Sequence, residues 1–249
     1  MMQGNVVFKE GESPQQVYTR RRRYPRFSVE GIDISSKMIF TEGIKISNIS
    51  VGGVCIIAKK LFNPGNKVLV RLKSERFHGP LNAMTVWRKP GGSIIDASGK
   101  PVPVYKAGIQ FKNISSEALV YLKDFMRISG VPEEKTYSDA YKPSALRYVI
   151  TNNEEAVLHY PETCIVKKIS LSGMLVETNR ELEIDRKYPM ALFIPNEDHP
   201  IKFRCRIASQ IPLQETNSFD TGIEFLNLKE NDKLRLKRFI AYLSVKQIT

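Results

Sequence analysis

The chain has 249 residues, 42% of them hydrophobic and 26% charged, a composition that suits one large folded domain or two ordinary ones and excludes a disordered polymer. Its formal net charge of +12 sits entirely in the first half: residues 1–130 hold 21 Lys and Arg against 9 Asp and Glu, and residues 131–249 hold 17 against 17. No apolar run approaches the roughly 18 residues of a membrane-spanning helix. The opening MMQGNVVFKEGESPQQ carries acidic residues and no long apolar stretch, so it does not read as a secretory signal, and a cytoplasmic protein is expected.

In chain order, an N-terminal extension (1–17) leads into RRRRYPRF, which crowds Arg20, Arg21, Arg22, Arg23 and Arg26 together. Positive charge placed this way is built to meet something anionic: a nucleotide, a nucleic acid or a membrane face. Next comes NISVGGVCII (48–57), a turn running into an apolar strand, then KVLVRL and NAMTVW, rich in the β-branched and aromatic residues that favour strands. The strand KAGIQF (106–111) precedes a helix in which Leu119, Leu122, Phe125 and Met126 recur at helical spacing, with Ser115 or Ser116 as its N-cap. GVPEEKTYSDAYKP (130–143), polar and bounded by Gly and Pro, reads as a connector.

The plan then repeats. KISLSGMLVE (168–177) matches NISVGGVCII, and YPMALFI and IKFRCRI are further strands. DTGIEF (220–225) matches KAGIQF as a second Gly-Ile-x-Phe, followed by a helix on Leu236, Phe239, Ile240 and Leu243 with Asn231 as its candidate cap. Gly53 and Gly173 are 120 residues apart and Gly108 and Gly222 are 114 apart, a near-constant offset that argues for duplication. Many short strands without intervening helices predict an all-β chain, a small antiparallel barrel in each half with one C-terminal helix per domain.

Two motifs carry a resemblance. Arg22 and Arg26 form an R-x-x-x-R, and Asn48, Ser50 and Gly53 form an N-x-S-x-x-G, in the order and setting of the PilZ domain family. Residues 18–130 resemble that family in motif and layout, and 142–249, after a linker at 131–141, resemble it in layout only. The resemblance implies two six-stranded antiparallel β-barrels of PilZ type in tandem, each followed by a helix, and cyclic di-GMP as ligand. It further implies a non-enzymatic receptor that relays a conformational change to a downstream protein partner.

The residue types suit that ligand. A guanidinium can fork onto a phosphate or onto the O6/N7 edge of guanine and can stack on the base. Asn48 offers both a donor and an acceptor to a guanine edge, and Ser50 adds a hydroxyl. Gly52 and Gly53 are expected to permit positive φ and a close approach of backbone to ligand. In the family, the residue before R-x-x-x-R helps decide whether one ligand or a stacked pair is bound, so Arg21 is a candidate contact to a second molecule. The second copy lacks the motif: Lys168 replaces Asn48, no R-x-x-x-R occurs in 131–249, and Ser170 and Gly173 are explained as turn residues.

Other chemistries are poorly supported. His78, His159 and His199 are dispersed, and no phosphate loop, dinucleotide fingerprint or metal-ligand spacing occurs, so no catalytic residue, metal or cofactor is assigned. The pairs Glu133–Glu134 and Glu154–Glu155 read as solvated charges, and Cys55, Cys164 and Cys205 as small apolar side chains in a reducing compartment. Trp87 reads as core or barrel rim. The competing function is a nucleic-acid-binding protein that uses the Arg string as an electrostatic arm, with Tyr24 and Phe27 stacking on bases.

Overall fold

The computed structural model describes residues 24–72, 79–132, 146–150 and 155–246. The described residues are mostly β-sheet with two helices. Thirteen strands run β1 (Phe27–Ser28), β2 (Ser35–Ser50), β3 (Gly53–Ala58), β4 (Lys67–Leu72), β5 (Leu81–Ile95), β6 (Pro101–Phe111), β7 (Gly130–Pro132), β8 (Tyr148–Ile150), β9 (Glu155–Ile169), β10 (Gly173–Thr178), β11 (Lys187–Phe193), β12 (Ile201–Pro212) and β13 (Phe219–Leu226). Helix α1 (Ser116–Ser129) follows β6, and α2 (Glu230–Lys246) follows β13.

Two compact units result, and their limits differ from a cut in the 131–141 connector. One, the central unit, is Ile39–Glu162; the other, the flanking unit, joins the residues up to Met38 to those from Thr163 onward. The long strands β2 and β9 each begin in one unit and end in the other.

In the central unit the antiparallel order is β9, β4, β5, β6, β3, β2, β8, β7. Alternation sets the inner face. In β3, Val54, Ile56 and Ala58 are buried between half-exposed neighbours, and in β4 Val68, Val70 and Leu72 do the same, as a strand with one face on a core must. Fully burying each of these valine, isoleucine and leucine side chains is worth about 1.5–3 kcal/mol. Helix α1 adds Leu122, Phe125 and Met126 to the buried set. The Ser115 hydroxyl accepts from the Ala118 N–H at 3.1 Å and caps its first turn. At its other end Gly130 donates its N–H to the Met126 carbonyl and leads directly into β7. The connector thus starts as a strand: Gly130, Val131 and Pro132 pair with Ile150, Val149 and Tyr148. A Cβ on Gly130 would lie 2.7 Å from the Tyr148 Cβ, which explains the glycine.

In the flanking unit the order is β11, β12, β13, β10, β9, with the start of β2 on β11 and β1 on β9. Its buried set includes Met38, Val166, Ile169, Val176, Leu192, Phe203 and Ile207. From α2 it adds Leu236, Phe239, Ile240 and Leu243, the four residues that the helical spacing singled out. Asn231 is not the cap of this helix. It lies inside the first turn, and the Lys229 carbonyl accepts the first helical bond, from Lys233. Glu230 sits at the positive end of the helix dipole, where a carboxylate is favoured, and pairs with Lys233.

Candidate functional site

The N-x-S-x-x-G forms the hinge between β2 and β3. Asn48 lies near the end of β2, paired to Cys55, and Gly53 opens β3. The Ser50 hydroxyl accepts from the Gly52 N–H at 3.3 Å and donates to the Gly53 carbonyl at 3.4 Å, so the turn engages it on both sides. The second copy builds the same turn: the Ser170 hydroxyl accepts from Ser172 and donates to the Gly173 carbonyl at 3.0 Å. The serine and the last glycine of the motif therefore have a structural reason that operates in both copies.

The glycine expectation needs correcting. Neither Gly52 nor Gly53 has positive φ. A Cβ on Gly53 would lie 2.3 Å from the Ile109 carbonyl oxygen of β6, and one on Gly173 would lie 2.0 Å from that of Ile223 in β13. Close strand-to-strand approach, and not a left-handed turn, requires these residues. Gly52 is exposed, with only the Ser50 hydroxyl within 4 Å of a Cβ placed there.

In front of this turn the central unit holds a cavity of about 590 Å³, within the usual range for small-molecule sites. Ser47, Asn48, Ser50, Gly52 and Gly53 form one side. Trp87 and Lys89 of β5 and Lys106, Gly108 and Gln110 of β6 form another, and Arg147, just before β8, a third. Among the described residues no Asp or Glu lines it. Three cations, with no salt-bridge partner among the described residues, make it an anion-attracting cleft.

Trp87 is 41% exposed, so it belongs to the rim and not the core. Its indole lies flat on the backbone at Gly108: a Cβ there would come 2.0 Å from Nε1. The glycine of Gly-Ile-x-Phe thereby makes room for an aromatic platform at the cavity wall, and Lys89 reaches over the ring with its ammonium 5.7 Å from the centroid. A bulge between Thr85 and Trp87 re-aims the strand at this point. Cys55 lines the floor. Burial pushes its thiol above the ordinary value, against the opposing pull of Lys106, Lys89 and Arg147. Burial also pushes the Cys205 thiol up to about 12, so neither is an activated nucleophile.

Of the residues singled out in the sequence, the structure brings together Asn48, Ser50, Gly52 and Gly53. Arg21 and Arg22 lie outside the described residues, as do Glu133, Glu134 and Glu154. Arg26 is exposed, one residue before β1, and belongs to the flanking unit. Sequence reasoning missed Lys89, Lys106 and Arg147, which stand singly and belong to no motif. Among the described residues no group of three or more His, Cys, Asp and Glu could hold a metal ion, and no helix is long and apolar enough to cross a membrane.

The first glycine turn of this duplicated, β-rich chain thus opens onto a cleft lined by Lys89, Lys106 and Arg147. The PilZ domain model matches residues 20–127 and again 143–242, and the chain belongs to the PilZ domain family, in two copies. No curated protein matches it in sequence. Among solved structures it is similar to the PilZ domain of YcgR from Escherichia coli with c-di-GMP, at 16% identity over 41% of this chain and 86% of that one, TM-score 0.26. It is also similar to the K. pneumonia MrkH–c-di-GMP complex, at 12% identity over 86% and 90%, TM-score 0.31. A third is the Bacillus subtilis inhibitor of motility MotI, at 10% over 75% and 98%, TM-score 0.31. Similarities this low carry no argument, and membership rests on the family model.

Proposed function

We propose that the protein is a cyclic di-GMP receptor and not an enzyme, and that the dinucleotide occupies the cavity at the Asn48–Gly53 turn. The observation that carries this reading is the lining of that cavity: three cations, two amide side chains and an indole face, with no carboxylate among the described residues. Cyclic di-GMP presents about two negative charges, two purine faces and two guanine edges, which call for those groups. Asn48 reads a guanine edge, the Ser50 turn holds Asn48 in place, and Gly52 leaves the backbone open. Arg22 and Arg26 take the role that the family motif gives them, forking onto phosphate or guanine, and Arg21 is the contact for a second stacked ligand. Each copy closes into the family's six-stranded barrel, and the second copy, without the motif, binds no dinucleotide. A change on binding passes to a downstream protein partner.

Calorimetric titration of the full chain with cyclic di-GMP, beside cyclic di-AMP and GTP, tests it. Saturable binding selective for cyclic di-GMP, weakened by Asn48→Ala, is expected, and its absence overturns the reading. Removing Arg26 should cost at least about 1.5–3 kcal/mol of binding, the range for hydrogen bonds to a charged group. Wild-type affinity in a folded Arg26→Ala variant withdraws that residue from the site. The nucleic-acid reading separates by salt: binding to a polyphosphate falls steeply with ionic strength, whereas a dinucleotide with two charges gives a shallow slope.

A further inference from the structure

The short strands that open the two family segments are exchanged. In the flanking unit β1, from the first segment, pairs with the second segment's turn strand: Phe27 with Ile169 and Ser28 with Lys168. In the central unit β8, from the second segment, pairs with the first segment's turn strand: Tyr148 with Ile49 and Val149 with Asn48. The two registers are equivalent. Ile49 and Ile169 correspond under the repeat, as do Asn48 and Lys168, so Phe27 corresponds to Tyr148 and Ser28 to Val149. One residue before Phe27 stands Arg26, and one residue before Tyr148 stands Arg147. Arg147 therefore stands at the Asn48 turn in the register that Arg26 holds at the Lys168 turn.

The surroundings of Arg147 fit an anchoring role. It is half-buried at the cavity wall beside Asn48 and Ser50, and no carboxylate pairs with it among the described residues. A guanidinium held at a cleft shared with Lys89 and Lys106 is repelled by its neighbours until an anion enters. The backbone that positions it is pinned on both sides, because β8 pairs with β2 and with β7, and α1 touches β7 and β8. The start of the second segment thus forms part of the wall of the cavity at the first segment's turn.

We infer that Arg147, contributed by the second family segment, is a ligand-anchoring residue of the cavity at Asn48, forking onto a phosphate or a guanine edge of the bound dinucleotide. This rests on the proposed function above and deepens it, since it gives the motif-less copy a part in binding.

The test is titration of the full chain with cyclic di-GMP in four forms: wild type, Arg147→Ala, Arg147→Lys, and Arg204→Ala as an exposed cation of the flanking unit. Arg147→Ala should weaken binding about tenfold or more, the fold-change that corresponds to one lost charge-assisted hydrogen bond. Arg147→Lys should recover only part of it, because an ammonium keeps the charge and loses the fork. Arg204→Ala should change little. Arg147→Ala and Arg204→Ala giving equal affinities would overturn the inference while leaving the receptor reading intact. No binding by wild type would remove both. Thermal unfolding of each variant separates a folding defect from a binding one, and if Arg147→Ala does not fold, Arg147→Lys with wild-type affinity counts against the fork.

Discussion

The two units share a plan and differ at the positions around one turn. In both, a serine hydroxyl ties the turn, a glycine backs onto a facing carbonyl, and a bulge interrupts the strand paired with Gly-Ile-x-Phe. In the central unit the surrounding positions are Ser47, Asn48, Ile57, Trp87 and Lys106; in the flanking unit their counterparts are Lys167, Lys168, Glu177, Ser209 and Asp220. The flanking unit neutralises itself. The Lys167 ammonium lies 2.6 Å from Asp220 and 2.9 Å from Glu177, and Ser218 donates to Glu177 at 2.8 Å. At the central unit's cleft Lys89, Lys106 and Arg147 have no carboxylate partner among the described residues, and an indole face stands beside them. One backbone thus hosts either an internal salt-bridge cluster or an anion-seeking cleft, and the choice is made by a handful of side chains.

Several substitutions break or sharpen that contrast. The largest effect should come where the units are alike. Gly53→Ala and Gly173→Ala each force a Cβ against a backbone carbonyl, so both should destabilise the fold, by about 3 kcal/mol; chemical denaturation checks this. A loss at one site and not the other would show that the two turns have different constraints. Next comes Trp87→Ser, which copies Ser209 into the central unit. Losing a stacking platform should weaken dinucleotide binding by about 2 kcal/mol, with a smaller change in stability because the ring is 41% exposed. Unchanged affinity by calorimetry would take the indole out of the site.

Lys167→Ala strips both carboxylates of their partner. For a pair of ion pairs about one-quarter to one-third exposed, it should cost about 1 kcal/mol of stability and leave dinucleotide affinity unchanged. A loss of affinity in the folded variant would tie the flanking unit's cluster to binding. The smallest effect is the pH dependence. The Lys167 ammonium, and after it the Ser218 hydroxyl, hold the Glu177 carboxyl below its usual 4.5. A depressed carboxyl stabilises the fold above that value, and the contribution disappears as pH falls through the folded pKa. Unfolding midpoints between about pH 5 and pH 3 should therefore drop less in Lys167→Ala than in wild type. Parallel drops would mean that the cluster carries no such linkage.

How much of this was legible differs by feature. The duplication could be read because Gly-Ile-x-Phe and the Ser-x-x-Gly turn recur at near-constant offsets, and the helices because Leu122, Phe125 and Met126, and Leu236, Phe239 and Ile240, hold helical spacing. The strands KVLVRL and KAGIQF were legible from their β-branched and aromatic content. The exchange of opening strands was not. A two- or three-residue strand such as Phe27–Ser28 or Tyr148–Ile150 has no periodicity to detect, and its pairing is fixed by partners far along the chain. Gly53 was assigned to φ freedom because sequence cannot show the Ile109 carbonyl that crowds it. Trp87 was left between core and rim because only the underlying Gly108 backbone reveals its flat seat. Arg147 belongs to no motif, yet the repeat contained a signal: aligning Phe27 with Tyr148 sets Arg147 on Arg26.

On this reading cyclic di-GMP enters the cleft walled by Asn48, Trp87 and Arg147. Trp87 is the only tryptophan in the chain, so its emission reports on that cleft alone. Cyclic di-GMP should change Trp87 fluorescence saturably, with a midpoint matching calorimetry and shifted to weaker binding in Asn48→Ala. Saturable calorimetric binding with no change in Trp87 emission would place the ligand elsewhere and contradict the account.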